Sequence, residues 1–158
     1  MKNSTRILVG IVVAVMAVFW IFGTRNNLLT LREDVKMQQA QIETALQRRS
    51  DLIPNLVETV KGYAKHEEEV FTAVADARTK LAGSIESGDI KSISEANDAL
   101  DTALSRLLAI SENYPELKAS EQFIALQDEL AGTENRIAVA RQYYDEKLNA
   151  YNTAVQRF

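Results

Sequence analysis

Residues 120–158, SEQFIALQDELAGTENRIAVARQYYDEKLNAYNTAVQRF, carry the longest helical pattern of the domain. Its apolar residues Phe123, Leu126, Leu130, Ile137, Ala140, Tyr144, Leu148, Tyr151, Val155 and Phe158 recur at intervals of three, four and seven. That spacing puts them on one face of a helix. Ser120 is a favoured N-cap, and Glu121 stands where the positive end of the helix dipole favours an acid. At about 1.5 Å per residue such a helix is a rod of roughly 57 Å. A stripe of that length stays wet unless other helices run beside it. The pattern is still running at Phe158, which has neither cap nor polar tail, and reads as though the natural chain continues.

Working backwards, the partners for that stripe are present. Leu28, Leu31, Val35, Ile42 and Leu46 keep the same period in a first segment, with Gln38 as the polar interruption. Asp51 and Pro54 are expected to break it, because Asp can cap and Pro is tolerated in a helix's first turn. A second segment carries Leu56, Val57, Val60, Tyr63, Ala64, Val70, Phe71, Val74, Ala77 and Leu81. Gly83 and Gly88, flanked by Ser84, Ser87 and Asp89, read as the next turn. A third segment carries Ile90, Ile93, Ala96, Leu100, Leu104, Leu107 and Leu108 and is expected to end near Tyr114-Pro115. Short connections make neighbouring helices antiparallel. The expected fold class is therefore all-α, an N-terminal transmembrane helix followed by an antiparallel up-and-down bundle of about four long helices.

The transmembrane expectation rests on residues 7–23, ILVGIVVAVMAVFWIFG, which contain no charged side chain. As a helix the run covers roughly 25 Å of a hydrocarbon core about 30 Å thick, and Ser4, Thr5 and Thr24 can extend it. Ile7, Val12, Val15, Phe19 and Trp20 are the positions expected to meet lipid, with Trp20 at interface depth. Lys2, Arg6 and Arg25 flank the run. The residues after it, Gly23 to Asn27, offer no small-x-small cleavage site, so an uncleaved single-pass anchor is expected rather than a signal peptide. Arg25, Arg32 and Lys36 nearly balance Lys2, Arg6 and the amino terminus, and the side of the membrane that holds the bundle stays open. The domain division expected is an anchor over 1–25 and a bundle over 26–158. Only Asn26 and Asn27 separate the two, without Gly or Pro, so one stiff helix is expected to run from anchor into bundle.

Composition removes most chemistry. The 158 residues include no Cys, one His, two Pro and six Gly. Thiol catalysis, disulfides, iron–sulfur clusters and His-pair metal sites are excluded. His66 precedes Glu67, Glu68 and Glu69, but the position three before it is Tyr63, not the Glu of a di-iron motif. The glycines are scattered singly, giving no phosphate loop and no glycine-flanked nucleophile. Asp128-Glu129 and Asp145-Glu146 are adjacent pairs that face different sides of a helix, not an acid and base pair. No enzymatic activity, metal, cofactor or small-molecule substrate is expected. Residues 26–158 hold 15 basic and 22 acidic side chains, a net of −7. That field repels nucleic acid.

The polar residues near the apolar stripes are the candidate interaction surface: Arg48, Arg49 and Asp51, then Thr133, Asn135, Arg136 and Arg141 with Glu134 among them, then Tyr151 and Asn152. Polar groups close to a bundle seam can set register or partner choice, and the competing reading is surface salt bridges within one chain. Tyr144, Tyr151 and Phe158, spaced by seven, share one seam.

Three blocks carry a resemblance: QRRSDLIPNLVETVKGYA at 47–64, ENYPELKAS at 112–120 continuing through Phe123 and Leu126-Gln127, and LAGTENRIAVAR at 130–141 leading to Tyr151-Asn152. Together they closely resemble the LemA family, in order and over essentially the whole chain. The resemblance implies a bacterial inner-membrane protein, single-pass, with a helical-bundle domain and no established biochemical activity. The chain departs from the family pattern at Asp145, where Asn is commoner, and in lacking a Phe-Pro-containing tail after Phe158. The expected role is a non-catalytic scaffold that binds membrane lipid through its anchor and self-associates or recruits envelope proteins. The alternative is a signalling accessory passing envelope state to a kinase or protease.

Overall fold

The computed structural model describes residues 2–157, without the side chains of residues 2–7, Ala17 and Ile21. The Ile7 side chain in the anchor and Phe158 at the end of the aromatic seam therefore lie outside the described residues. Helix α1 spans Lys2–Lys61, α2 Glu68–Ser87, α3 Ile90–Ile110, a 3-10 turn Ser111–Asn113, α4 Pro115–Lys118 and α5 Glu121–Gln156. No strand occurs among the described residues, and the fold is all-α as the periodicities predict. The chain divides into two compact units, residues 39–141 and residues 1–38 with 142–158.

In the first unit the stripes become one core. Ile42, Leu46, Ile53, Leu56 and Val60 of α1, Phe71, Val74 and Leu81 of α2, Ile93, Leu100, Leu104 and Leu107 of α3, and Phe123, Leu130 and Ile137 of α5 are all buried. Leu117 of the short α4 closes one end of the set, with no exposure. These are the positions that a 3.6-residue period assigns to the inner face of each helix.

Two expected breaks are not breaks. Helix α1 continues through Asp51 and Pro54 to Lys61, whereas the sequence reading ended it there. Proline removes the N–H that would bond the carbonyl four residues earlier, which is that of Ser50. Arg78 of α2 supplies the missing donor: its Nε donates to the Ser50 carbonyl at 3.0 Å. A cross-helix bond thus replaces an intrahelical one, and the helix survives its proline. The true interruption falls at 62–67, inside what the periodicity read as one segment. There the N–H groups of Tyr63 and Ala64 both return to the Val60 carbonyl, at 3.0 and 2.9 Å. Gly83 likewise lies within α2, and the turn belongs to Gly88 alone.

Gly88 takes φ +68°, the left-handed conformation that ends a helix at little cost only for glycine. Its carbonyl accepts from Gln39 Nε2 at 2.9 Å, tying the turn to α1. Asp89 then caps α3 through the Ser92 backbone N–H at 3.0 Å. The Ser92 hydroxyl first, and its N–H second, hold the Asp89 carboxyl below the usual carboxylate range.

The helical residues from Leu8 to Phe22 whose side chains are described are exposed, Phe19 and Trp20 to 75% and 65%. This helix is long and apolar enough to cross a membrane. It passes through Asn26 and Asn27 without interruption. Farther on, Leu28, Leu31 and Val35 are half-buried, as are Tyr144, Leu148 and Tyr151 of α5, and Lys147 Nζ lies 3.7 Å from Asp34 Oδ2.

Two measurements check these assignments. Arg78→Met should cost about 1–3 kcal/mol in chemical denaturation, the penalty of an unsatisfied buried carbonyl. Most of that cost should vanish in a Pro54→Ala background, which restores an N–H to α1; an unchanged cost there would refute the replacement. For Asp89, a depressed folded pKa means that its contribution is present above the unfolded value and is lost as pH falls through the folded one. The Ser92 amide resonance should accordingly titrate with a midpoint below the ordinary aspartate value, and Asp89→Asn should abolish the titration.

Candidate functional site

The polar centre of the 39–141 unit is Arg49, placed on the inner face of α1 by the same spacing that buries Leu46, Ile53 and Leu56. Its side chain is only 8% exposed. One guanidinium nitrogen, Nη1, donates to Asn97 Oδ1 of α3 at 3.0 Å and to Glu134 Oε2 of α5 at 2.8 Å. The other, Nη2, donates to Asp101 Oδ1 of α3. Asn97 Nδ2 in turn donates to Asp101 Oδ2 at 2.9 Å, fixing the carboxylate that faces the arginine. One planar fork therefore joins three helices, a task that guanidinium geometry suits better than a lysine ammonium.

The electrostatics are graded. Asn97 is fully interior, whereas the Asp101 and Glu134 side chains keep 39% and 48% of their surface in solvent. The cation is buried and its counter-charges are half in water, so desolvation falls mainly on the arginine. Its Nε has no hydrogen-bond partner among the described residues. Outside the network runs an open groove of about 370 Å³, lined among others by Arg49, Asp101, Ser105, Gln127 and Glu134. Chemically the cluster is a clamp. Its carboxylates are engaged by a cation from within, and among the described residues no three His, Cys, Asp or Glu side chains are placed to hold a metal ion.

The sequence-predicted surface residues sort by helix phase. Arg48, beside Arg49, is exposed and pairs with Glu129 at 2.8 Å. Asp51 is exposed and accepts from Gln47 at 2.9 Å. Thr133 is interior, with 1% exposure, and its hydroxyl donates back to the Leu130 carbonyl at 2.7 Å. Asn135 and Arg136 are exposed, and Arg141 is half-buried with Nη2 unpaired among the described residues. Tyr151 is half-buried and Asn152 exposed, both in the other unit. The structure thus brings Arg48 and Arg49 to α5 but sets Thr133 inside. The reading missed Asn97 and Asp101. Asn97 lies four after Ile93 and three before Leu100, a polar residue in the register of the stripe, and that was the available signal.

The model of the LemA family matches residues 38–158, and the chain belongs to that family. It is 27% identical over 158 residues to magnetosome protein MamQ 2 of Paramagnetospirillum magneticum, covering 84% of this chain and 57% of that one. Magnetosome protein MamQ of Magnetospirillum gryphiswaldense is 26% identical over 156 residues, with the same coverage. Protein LemA of Metamycoplasma hominis is 24% identical over 140 residues, covering 89% of this chain and 63% of that one. The chain spans a little over half the length of the magnetosome relatives it matches. The matched family region takes in the whole arginine network and excludes the apolar run.

The clamp predicts an ordering of substitutions. Arg49→Met should cost about 2–3 kcal/mol, since it strands Asn97 in the interior, while Arg48→Ala should cost about 0–1 kcal/mol, as exposed pairs do. A double-mutant cycle of Arg49→Met with Glu134→Gln should show coupling of roughly 0.5–3 kcal/mol. Equal costs for the two arginines in urea titrations would remove Arg49 from its central place.

Proposed function

We propose that this LemA-family chain is a non-catalytic, membrane-anchored helical scaffold, inserted in the bacterial inner membrane by residues 1–25 and presenting the bundle of residues 26–158 to copies of itself or to envelope proteins. The observation that carries the reading is the continuity of α1. A single helix includes both the exposed apolar run and the turn that bears Arg49, so the segment suited to lipid and the segment that organises the bundle are one element.

Self-association follows from the same design. Anchors in one bilayer raise the local concentration of the bundles they carry, so weak lateral contacts suffice. The exposed polar residues Asn135 and Arg136 of α5 and Asn152 nearer its end are the side chains offered to such contacts. Family membership and the relatives' names agree with a role other than catalysis, since none of them is named as an enzyme.

The full chain in mild uncharged detergent should sediment as a species larger than a protomer plus its micelle, and short crosslinkers should capture copies or co-purified envelope proteins. A strictly monomeric chain that yields no crosslinked partner would overturn the scaffold reading. Replacing Asn135 and Arg136 together by Ala and Glu should shift the population towards monomer while leaving the thermal transition within a few degrees, because both are exposed.

A further inference from the structure

The bundle closes at one end in a cleft that the arginine clamp does not reach. It has a volume of about 430 Å³ and is lined by Gly62, Tyr63, Asn113, Tyr114, Pro115 and Glu116, all in the 39–141 unit. Two of the sequence blocks singled out above, 47–64 and 112–120, are far apart in the chain and meet here. Tyr63 is 41% exposed and Tyr114 half-buried. Neither ring is spent in the core, and both are available to something outside it.

The cleft is built to favour a cation. Helix α1 ends at Lys61, so the negative end of its dipole lies at Gly62. Glycine there leaves the Thr59 carbonyl oxygen unobstructed, where a Cβ would come within 3.3 Å of it. Glu116 adds a full charge and has no ion-pair partner among the described residues. The lysines that flank it in sequence and space are already committed. Lys118 Nζ lies 3.0 and 2.8 Å from the two carboxylate oxygens of Glu112, and Lys61 Nζ stands 5.3 Å from the centroid of the Phe71 ring. Lys65 and His66 are exposed in the neighbouring loop and do not line the cleft. The wider unit reinforces the preference, with 11 basic and 18 acidic side chains, a net of −7.

From this geometry we infer that the cleft of Tyr63, Tyr114 and Glu116 is a docking site for a lysine or arginine side chain presented by a partner protein. The aromatic faces attract the cation, and the Glu116 carboxylate and the Asn113 amide oxygen accept its N–H donors. Those acceptors choose among cations. A quaternary ammonium, as in a choline headgroup, can use the rings but has no N–H to donate, so a lysine or arginine side chain suits the set better than a choline headgroup. Pro115 starts α4 and fixes the backbone beneath Tyr114.

The inference names the partner chemistry of the scaffold proposed above and rests on that reading for its biological sense, but the site is testable alone. The full chain in uncharged detergent, with labelled tyrosine rings, is titrated by NMR with the N-acetyl methylamides of arginine, lysine and norleucine, and with tetramethylammonium. Arginine and lysine should move the Tyr63 and Tyr114 ring signals saturably, and about tenfold more tightly than norleucine or tetramethylammonium. Glu116→Gln and Tyr63→Leu, both at exposed positions, should each weaken arginine binding several-fold without loss of fold. Norleucine binding as well as arginine would make the cleft a merely apolar groove. Tetramethylammonium binding equally well would reassign it to quaternary ammonium, and unmoved tyrosines or an unaffected Glu116→Gln variant would remove the site. Each of these overturns the inference. A monomeric chain whose tyrosines still respond keeps the site and loses the scaffold, and an oligomer with silent tyrosines does the reverse.

Discussion

Three consecutive residues of α1 hold the bundle in register. Arg48 reaches Glu129 of α5, Arg49 reaches α3 and α5 together, and the Ser50 carbonyl receives Arg78 of α2. One turn of one helix therefore contacts each of the three other long helices through a directional bond. Apolar packing alone is tolerant, because stripes of Leu, Ile and Val can slide by a turn and still bury similar area. Directional bonds from a buried cation are not, since a slip of one turn would strand the guanidinium or its Asn97 partner away from water. The apolar core supplies most of the driving force, and this turn selects one arrangement of it.

The same turn explains how α1 tolerates Pro54. The proline costs the Ser50 carbonyl its donor, and the vacancy is filled from α2 rather than by water, with Ser50 itself only 2% exposed. A defect in the local ladder has become a tertiary contact. Arg49 and Ser50, neighbours in sequence, send their bonds to different helices because successive residues point about 100° apart around a helix. A small residue at position 50 also lets α2 come close enough for Arg78 to reach the backbone.

Much of this fold was legible in the sequence, and the misses have specific causes. The stripe of α3 was legible nearly residue for residue and that of α5 as far as Ala140, because burial on one side imposes a period that composition cannot hide; beyond it Tyr144, Leu148 and Tyr151 are half-buried and Val155 is exposed. The break expected at Pro54 failed because the compensating donor to Ser50 comes from Arg78, 28 residues after that serine, and local rules cannot see it. Gly83 was read as a turn beside Gly88, yet only Gly88 needs a left-handed backbone; glycine in sequence marks permission, not use. The loop at 62–67 was hidden because Val60, Tyr63 and Ala64 continue the apolar spacing across it. Of the clamp, Arg49 was marked as polar beside a stripe, but its partners stand 48, 52 and 85 residues away. A cation in a stripe announces that anions exist somewhere. It does not say on which helix.

The division of labour within the resembling blocks follows from these placements. The block at 47–64 begins as the clamp and ends as one wall of the terminal cleft, with Ile53, Leu56 and Val60 buried between the two. The block at 130–141 alternates likewise: Leu130, Thr133, Ile137 and Ala140 face inward while Asn135 and Arg136 face out. The blocks at 47–64 and 112–120 together place Tyr63, Tyr114 and Glu116 around the terminal cleft, the carboxylate without an ion pair among the described residues. Beside them Ala64 and Leu117 are fully buried. Stability asks for polar, replaceable side chains at such an end. Tyr63 and Tyr114 instead keep large aromatic surface in water at a cost in solvation. A cation laid against the rings would recover that cost, and the acidic surroundings favour an occupant of that charge.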